Sequence, residues 1–397
     1  MAEGPGSGKR LACLLVGLGA LLLTAALLIP TYAIGKIAKT PLDLEITTIA
    51  TTAPDKGAQV LDARSLTTPT GKAQVNANVP LVSQRFLTVE EPADADRVTL
   101  QAGQTLRRTD KQGDTGLLTA TVDRVTIDRT TGEPLDDPIG SIQVQADQPA
   151  EEVPHTGLQY RFPIGTEKKS YPFFDINARQ SADMSFVDET EISGLKVYHF
   201  KQTIPPVDLS KVVNSPANKL SLPADKWGVP GGADPVTMTR WYTDEREVWV
   251  EPKTGTIVRG QEQVYQYYAR AADKPEVTVL QAALAFDENT VESQAATAKQ
   301  YVDEIALYGR FLPISFGIVG LLALLAGIFL GIRGGSGGRG RRSPAVATDP
   351  PDTGAHAMPD PADPPAPGYR TEATGRSEID APTEVIYPRF DEYPRDR

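Results

Sequence analysis

A chain of 397 residues with 40 Lys+Arg against 51 Asp+Glu, formally −11, is a poor partner for nucleic acid, whose phosphates must be met by cations. Its single cysteine excludes an intramolecular disulfide. The apolar residues are uneven: two blocks near the ends are almost wholly apolar, while residues 36–310 between them are mixed, acidic (29 Lys+Arg, 39 Asp+Glu) and long enough to bury a core.

Residues 1–10 read as a short cytoplasmic N-terminus ending in Lys9 and Arg10. Leu11 to Ile29 follows without a charge; as a helix it would span about 29 Å, close to the hydrocarbon thickness of a bilayer. Pro30 is expected to end it, because proline cannot continue the hydrogen-bond ladder. Thr31-Tyr32-Ala33 has the small-x-small form of a signal cleavage site. The apolar run, however, exceeds the roughly 7–15 residues of a signal core, so it reads as an uncleaved anchor. Cys13 lies near the start of this run, whereas a lipidated cysteine would follow it; it reads as a small packing residue.

Strand and turn signals dominate residues 36–310. Leu117 to Val122 leads into Val125–Asp128, and Arg129 to Pro134 makes a turn. Ser193-Gly194 introduces Val197-Tyr198-His199-Phe200 as the arm of a hairpin. Glu247 to Glu251 is followed by Pro252-Lys253-Thr254-Gly255, a turn in which proline presets one dihedral and glycine permits a positive one. Thr256 to Tyr268 and Val277 to Phe286 read as further strands. Residues near 53 to 80 read as loop or edge strands, and Gln148-Pro149-Ala150-Glu151 as a candidate internal boundary. From residue 291 the period changes: Val291, Ala295, Ala298, Val302 and Ile305 share one helical face, with Asn289 and Glu292 as its capping pair. The fold class expected is a mainly β (α+β) domain with antiparallel sheets, a stalk helix at its end, and a transmembrane helix on either side.

The second anchor is Leu312 to Ile332, about 31 Å as a helix. Gly327 and Gly331 have the spacing that lets membrane helices approach closely, either with the first helix or with another copy. Arg333, Arg339, Arg341 and Arg342 follow it, and by the positive-inside rule this side is cytoplasmic. Two crossings put both termini there and the main domain outside, at a plasma membrane. The tail, 333–397, is rich in Gly, Arg, Pro, Asp and Ala and has too few large apolar residues to offset chain entropy; it is expected to be disordered. Thr383 near its end is a candidate phosphorylation and docking site for a tail-binding protein.

Catalytic chemistry finds little support. Residues 36–310 contain two histidines, His155 and His199, and no cysteine, too few ligands for a zinc site of the usual kind. Gly4-Pro5-Gly6-Ser7-Gly8-Lys9 lacks the first glycine of a phosphate-binding loop. No catalytic residue, metal or cofactor is assigned. The aromatic segments offer the better lead: Tyr160, Phe162, Tyr171, Phe173, Phe174, Trp241 and Trp249 are the residue types that line a lipid or glycan groove, although large aromatics also fill β cores.

The terminal helices, with Lys39-Thr40-Pro41-Leu42-Asp43, Phe162-Pro163, Thr166-Glu167-Lys168, Tyr171-Pro172, Gly194 to Tyr198, and Trp249-Val250-Glu251-Pro252 with Thr254-Gly255, resemble the actinobacterial PorA-type porin family over about residues 10 to 332. The resemblance implies a cell-envelope protein and a pore; it supplies no catalytic residues. A membrane barrel would show many alternating strands and no long apolar helices, so a pore here implies a homo-oligomer. The first functional expectation is a non-enzymatic envelope protein whose outer domain binds or conveys a lipid or cell-wall glycan. The alternatives are an oligomeric channel and a sensor signalling through its tail.

Overall fold

The computed structural model describes residues 7–53 and 56–335. Thr383 and nearly all of the 333–397 tail lie outside the described residues. In chain order the elements are α1 (Ser7–Ile37), β1 (Glu45–Thr52), β2 (Ala58–Asp62), α2 (Ala63–Thr67), β3 (Gln74–Val79), β4 (Leu81–Ala93), β5 (Arg97–Arg108), β6 (Leu117–Asp128), β7 (Ser141–Gln143), β8 (Glu151–Glu152), β9 (Tyr171–Asp175), β10 (Gln180–Ile192) and β11 (Leu195–Asp208). There follow α3 (Leu209–Val212), β12 (Lys219–Pro223), α4 (Ala224–Trp227), β13 (Pro235–Glu251), β14 (Thr256–Ala269), β15 (Val277–Phe286), α5 (Glu288–Ala306) and α6 (Leu312–Gly335). The fold is mainly antiparallel β, with an apolar helix at each end of the described chain.

Alternation explains the strands. In β15, Val277, Leu280, Ala282 and Leu284 are buried while Gln281 between them is exposed. In β11 the buried set is Leu195, Val197, Phe200, Gln202 and Ile204. Fully burying one such large side chain is worth roughly 1.5–3 kcal/mol. A one-residue slip would turn the whole set to solvent, so the register is strongly specified.

The strands form one 15-stranded sheet whose main path runs β8-β7-β6-β5-β4-β1-β15-β14-β13-β11-β10-β9. Residues 151–158 join its ends. Glu151 and Glu152 pair with Ile142 and Ser141 of β7; Leu158, a few residues on, donates to the Pro172 carbonyl (2.7 Å) and accepts from the Phe174 amide (2.8 Å) at β9. The sheet therefore curls until the ends of its main path are joined, while β3 and β12 each keep one unpaired edge among the described residues. The Pro-rich stretch near residue 150, which reads in sequence as a boundary, is the seam of this closure. Two apolar clusters face inward. Phe162, Tyr171, Phe173, Met184, Phe200, Val248 and Val250 form one; Leu87, Val98, Leu100, Val125 and Ile127 form the other.

The helices depart from the expected boundaries in two places. α1 does not stop at Ile29: it continues through Pro30 to Ile37. Thr31 Oγ1 bonds the Leu28 carbonyl (2.9 Å) just past the proline; the carbonyl that Pro30 leaves without its helical donor is that of Ala26, four residues back. The capping residue of α5 is Asp287, not Asn289: its carboxylate accepts from the Thr290 amide (2.8 Å), while Thr290 Oγ1 accepts from Ile49 of β1 (3.0 Å). α5 runs through a single π-helical turn, Leu307–Phe311, into α6. α1 and α6 are long and apolar enough to cross a membrane, and they pack on each other with backbones in contact. A Cβ on Gly19 would lie 2.7 Å from the Gly320 carbonyl, and one on Gly327 would lie 2.8 Å from the Val16 amide and 2.9 Å from the Ala12 carbonyl. Gly331, the other residue of the sequence spacing, is looser, at 3.9 Å from the Ala12 Cβ.

Candidate functional site

The interior of the curled sheet is not filled throughout. An outer cavity is lined by Ile37 at the end of α1, by Tyr301 and Ile305 of α5, and by Leu44, Ile46, Leu87 and Ile257 deeper in. An inner cavity reaches Phe173, Phe174, Gln159 and Arg246. The two share Thr48, Arg85, Tyr160, Ile257 and Phe286 as a common wall. Each is narrow, with a cavity volume of about 90 Å³. The outer one is bordered by the end of α1 and by α5, the helix that leads into α6.

Sequence segments far apart in the chain build this wall. The Pro252–Gly255 turn closes the β13–β14 hairpin, and the Glu251 carboxylate ties it by accepting from the amides of Lys253 (3.1 Å) and Thr254 (2.8 Å). Gly255 has φ +70, and a Cβ there would stand 2.0 Å from the Phe162 carbonyl; only glycine lets the turn press this close. The Phe162 amide donates to the Gly255 carbonyl (2.9 Å), and the Thr166 amide to the Pro252 carbonyl (2.7 Å). Tyr171 Oη accepts from the Glu167 amide (2.8 Å). On the other side, Thr40 is fully buried and bonds Arg129 through both backbone and hydroxyl, placing Lys39 and Pro41 at the cavity mouth. These ties hold the Tyr160–Arg161 corner, where Tyr160 takes φ +63, a conformation that costs a non-glycine residue of order 1–3 kcal/mol.

Asp123 balances that strain. Its carboxylate accepts from Tyr160 Oη (2.5 Å) and Gln159 Nε2 (2.9 Å), and its other oxygen lies 2.9 Å from His155 Nε2. Burial, with the Asp123 charge second, holds the Tyr160 phenol far above its ordinary pKa, so it serves as a donor. Gln159 Oε1 is buried without a hydrogen-bond partner among the described residues. Deeper, the Arg246 guanidinium meets Asp175 (2.9 Å), Asp244 (2.9 Å) and Glu262 (3.5 Å). One cation cannot offset three carboxylates in a low-dielectric interior. Burial pushes Asp244 up to about 8 against the lowering effect of Arg246, while Glu262 and Asp175 raise it further.

Among the aromatic residues singled out in sequence, Tyr160, Phe173 and Phe174 line the cavities. Phe162 and Tyr171 belong to the adjoining core cluster. Trp249 lies elsewhere, stacked on His199 (centroids 4.4 Å apart) and under Arg259. Trp241 lines neither cavity, and its buried Nε1 has no partner among the described residues. Sequence reasoning missed the polar members. Arg85 lies over the Tyr160 ring at 5.4 Å and bonds Gln104 at 3.3 Å. Arg161 donates to the Thr254 carbonyl at 2.8 Å. Burial pushes the Arg161 guanidinium down to about 10, an effect that the neighbouring Arg129 strengthens. The available signal was the arginine set inside the apolar run Tyr160-Arg161-Phe162-Pro163.

Comparison with known proteins finds a family model described as "Porin PorA" matching residues 11–329. A Porin PorA of Corynebacterium amycolatum is 31% identical over 380 residues, covering 80% of this chain and 97% of the relative. A Porin PorA of Corynebacterium resistens is 34% identical over 403 residues, covering 82% and 97%. The match spans both apolar helices and the whole β domain. The chain belongs to the PorA porin family, and it is a membrane protein.

Proposed function

We propose that this PorA-family chain acts as a porin in a cell envelope and conducts as an assembly of several copies. The observation carrying the reading is that the family match takes in both apolar helices together with the β domain. Assembly is required because α1 and α6 meet backbone to backbone at Gly19, Gly320 and Gly327, so one pair encloses no aqueous lumen. The β domain stands on the extracytoplasmic side and both termini are cytoplasmic, following the arginines after α6. Planar-bilayer recordings on purified full-length protein should show discrete conductance steps. Their persistent absence, in preparations where the oligomer is verified by mass, would remove the channel.

A second reading is favoured by one observation, the largely apolar cavity lined by residues of α1 and α5. In it the β domain takes up a lipid or other amphiphile at the bilayer surface and holds it inside the curled sheet. Native mass spectrometry of the full chain should then show a retained lipid. A protein that stays clean after exposure to bilayer lipid and to free amphiphiles would sink this reading without touching the first.

A further inference from the structure

The outer cavity has an unusual charge inventory for so acidic a chain. Among its lining residues are Lys39, Arg85 and Arg161, and there is no carboxylate. Lys39 is committed to Asp96 (2.8 Å) and the Ala95 carbonyl. Arg85 and Arg161 have no ion-pair partner among the described residues. Each makes one hydrogen bond to a neutral oxygen, at 3.3 and 2.8 Å, although a guanidinium carries five donors. Most of the remaining cavity surface is apolar, with Leu44, Ile46 and Leu87 among its lining, interrupted by neutral polar residues such as Thr48, Thr256 and Gln294. A cation held in apolar surroundings without a counter-charge is costly, and Asp and Glu are abundant elsewhere in this domain. Arg85 lies over the Tyr160 ring, and Arg161, the next residue in the chain, reaches the Thr254 carbonyl; both line the same cavity.

We propose that the outer cavity is a binding site for an anionic amphiphile, with Arg85 and Arg161 receiving its oxyanion headgroup and the Leu44, Ile46 and Leu87 wall receiving its alkyl chain. The inference rests on the second reading above and narrows it to a substrate class. A carboxylate or a phosphate satisfies both guanidinium groups by charge-assisted hydrogen bonds. Carboxylate and phosphate differ in source: the first would be a free long-chain acid, the second a bilayer phospholipid. The alkyl chain would run toward Ile37 and Ile305, the side on which the membrane helices begin.

The test uses the full-length protein in nanodiscs of zwitterionic phosphatidylcholine, offered oleate or oleyl alcohol, and in parallel nanodiscs containing phosphatidylglycerol, with retention read by native mass spectrometry. Oleate or phosphatidylglycerol should be retained at least tenfold better than the neutral alcohol. Arg161→Gln and Arg85→Gln should each weaken retention about tenfold, the size expected for one hydrogen bond to a charged group, and Arg161→Lys should restore part of it. Whichever of the two anions is retained identifies the source. Equal retention of the alcohol, or undiminished retention in the double Gln variant, overturns the headgroup site while the apolar passage stands. Retention of none of the three overturns both. Near-UV circular dichroism checks each variant for folding; should Arg161→Gln fail to fold, Arg85→Gln and Arg161→Lys decide the matter.

Discussion

At the residue scale, two buried side chains make contrasting statements about stability. Phe162 is fully buried and contacts the rings of Tyr171, Phe173 and Phe200 at 4.8 to 5.7 Å. Phe162→Ala should cost about 3–5 kcal/mol, read as a lowered midpoint of denaturant unfolding in detergent; a loss below about 1 kcal/mol would mean the ring is not core. Asp244 does the opposite of what a salt bridge suggests. Its carboxyl keeps its proton up to about 8 when folded, against 3.8 when unfolded. Below about pH 4 both states are protonated and its contribution is complete. From there to about 8 the unfolded chain releases a proton that the folded chain keeps, so stability falls as pH rises. Asp244→Asn should therefore gain thermal stability relative to the parent between pH 5 and pH 8, and the gain should grow with pH. A difference independent of pH would show that Asp244 is ionised when folded.

At the element scale, the helix pair and the stalk cap are open to direct measurement. Ala12 Cβ and a Cβ built on Gly331 are 3.9 Å apart, within the span of a disulfide. Ala12→Cys with Gly331→Cys, in a Cys13→Ser background, should form an intramolecular crosslink under mild oxidation. Adding Gly327→Leu should abolish it, because a side chain there meets the Val16 and Ala12 backbone. A crosslink that survives Gly327→Leu would contradict the packing. Asp287→Ala removes the cap of α5 and should cost about 1 kcal/mol. The same element shows the limit of pattern reading. The apolar period of α5 was legible from Val291 to Ile305, but its start was not, because Asp287 caps through Thr290, whose hydroxyl is engaged by β1.

At the scale of the whole molecule, closure of the sheet is what makes an interior. Gly157 sits at the seam with φ +70, and a Cβ there would lie 2.4 Å from the Pro172 carbonyl. Gly157→Val should cost on the order of 1–3 kcal/mol from the dihedral alone and should speed amide exchange in β8 and β9 before the rest of the sheet. Uniform protection across β8, β9 and β14 in the variant would argue against a seam. Topology is tested separately. Protease added to intact cells should digest exposed loops of residues 36–310, and protease on inverted vesicles should not. The reverse pattern would place the β domain in the cytoplasm and undo the proposed transport.

Local chemistry determined the apolar helices and most of the strands, because hydrophobic period and turn residues act over a few positions: β15 covers the span expected for it, Val277 to Phe286, and Gly255 takes the positive φ its turn requires. It also carried the family resemblance. Tertiary structure alone decided that residues 151–158 close the sheet and that Arg85 and Arg161 line one cavity. It also decided which aromatics line a cavity and which fill a core. The physical reason is that a strand's alternation says which face is buried but not what lies across from it. An arginine that lines a cavity holding no carboxylate is recognisable only once every neighbour has been brought into place.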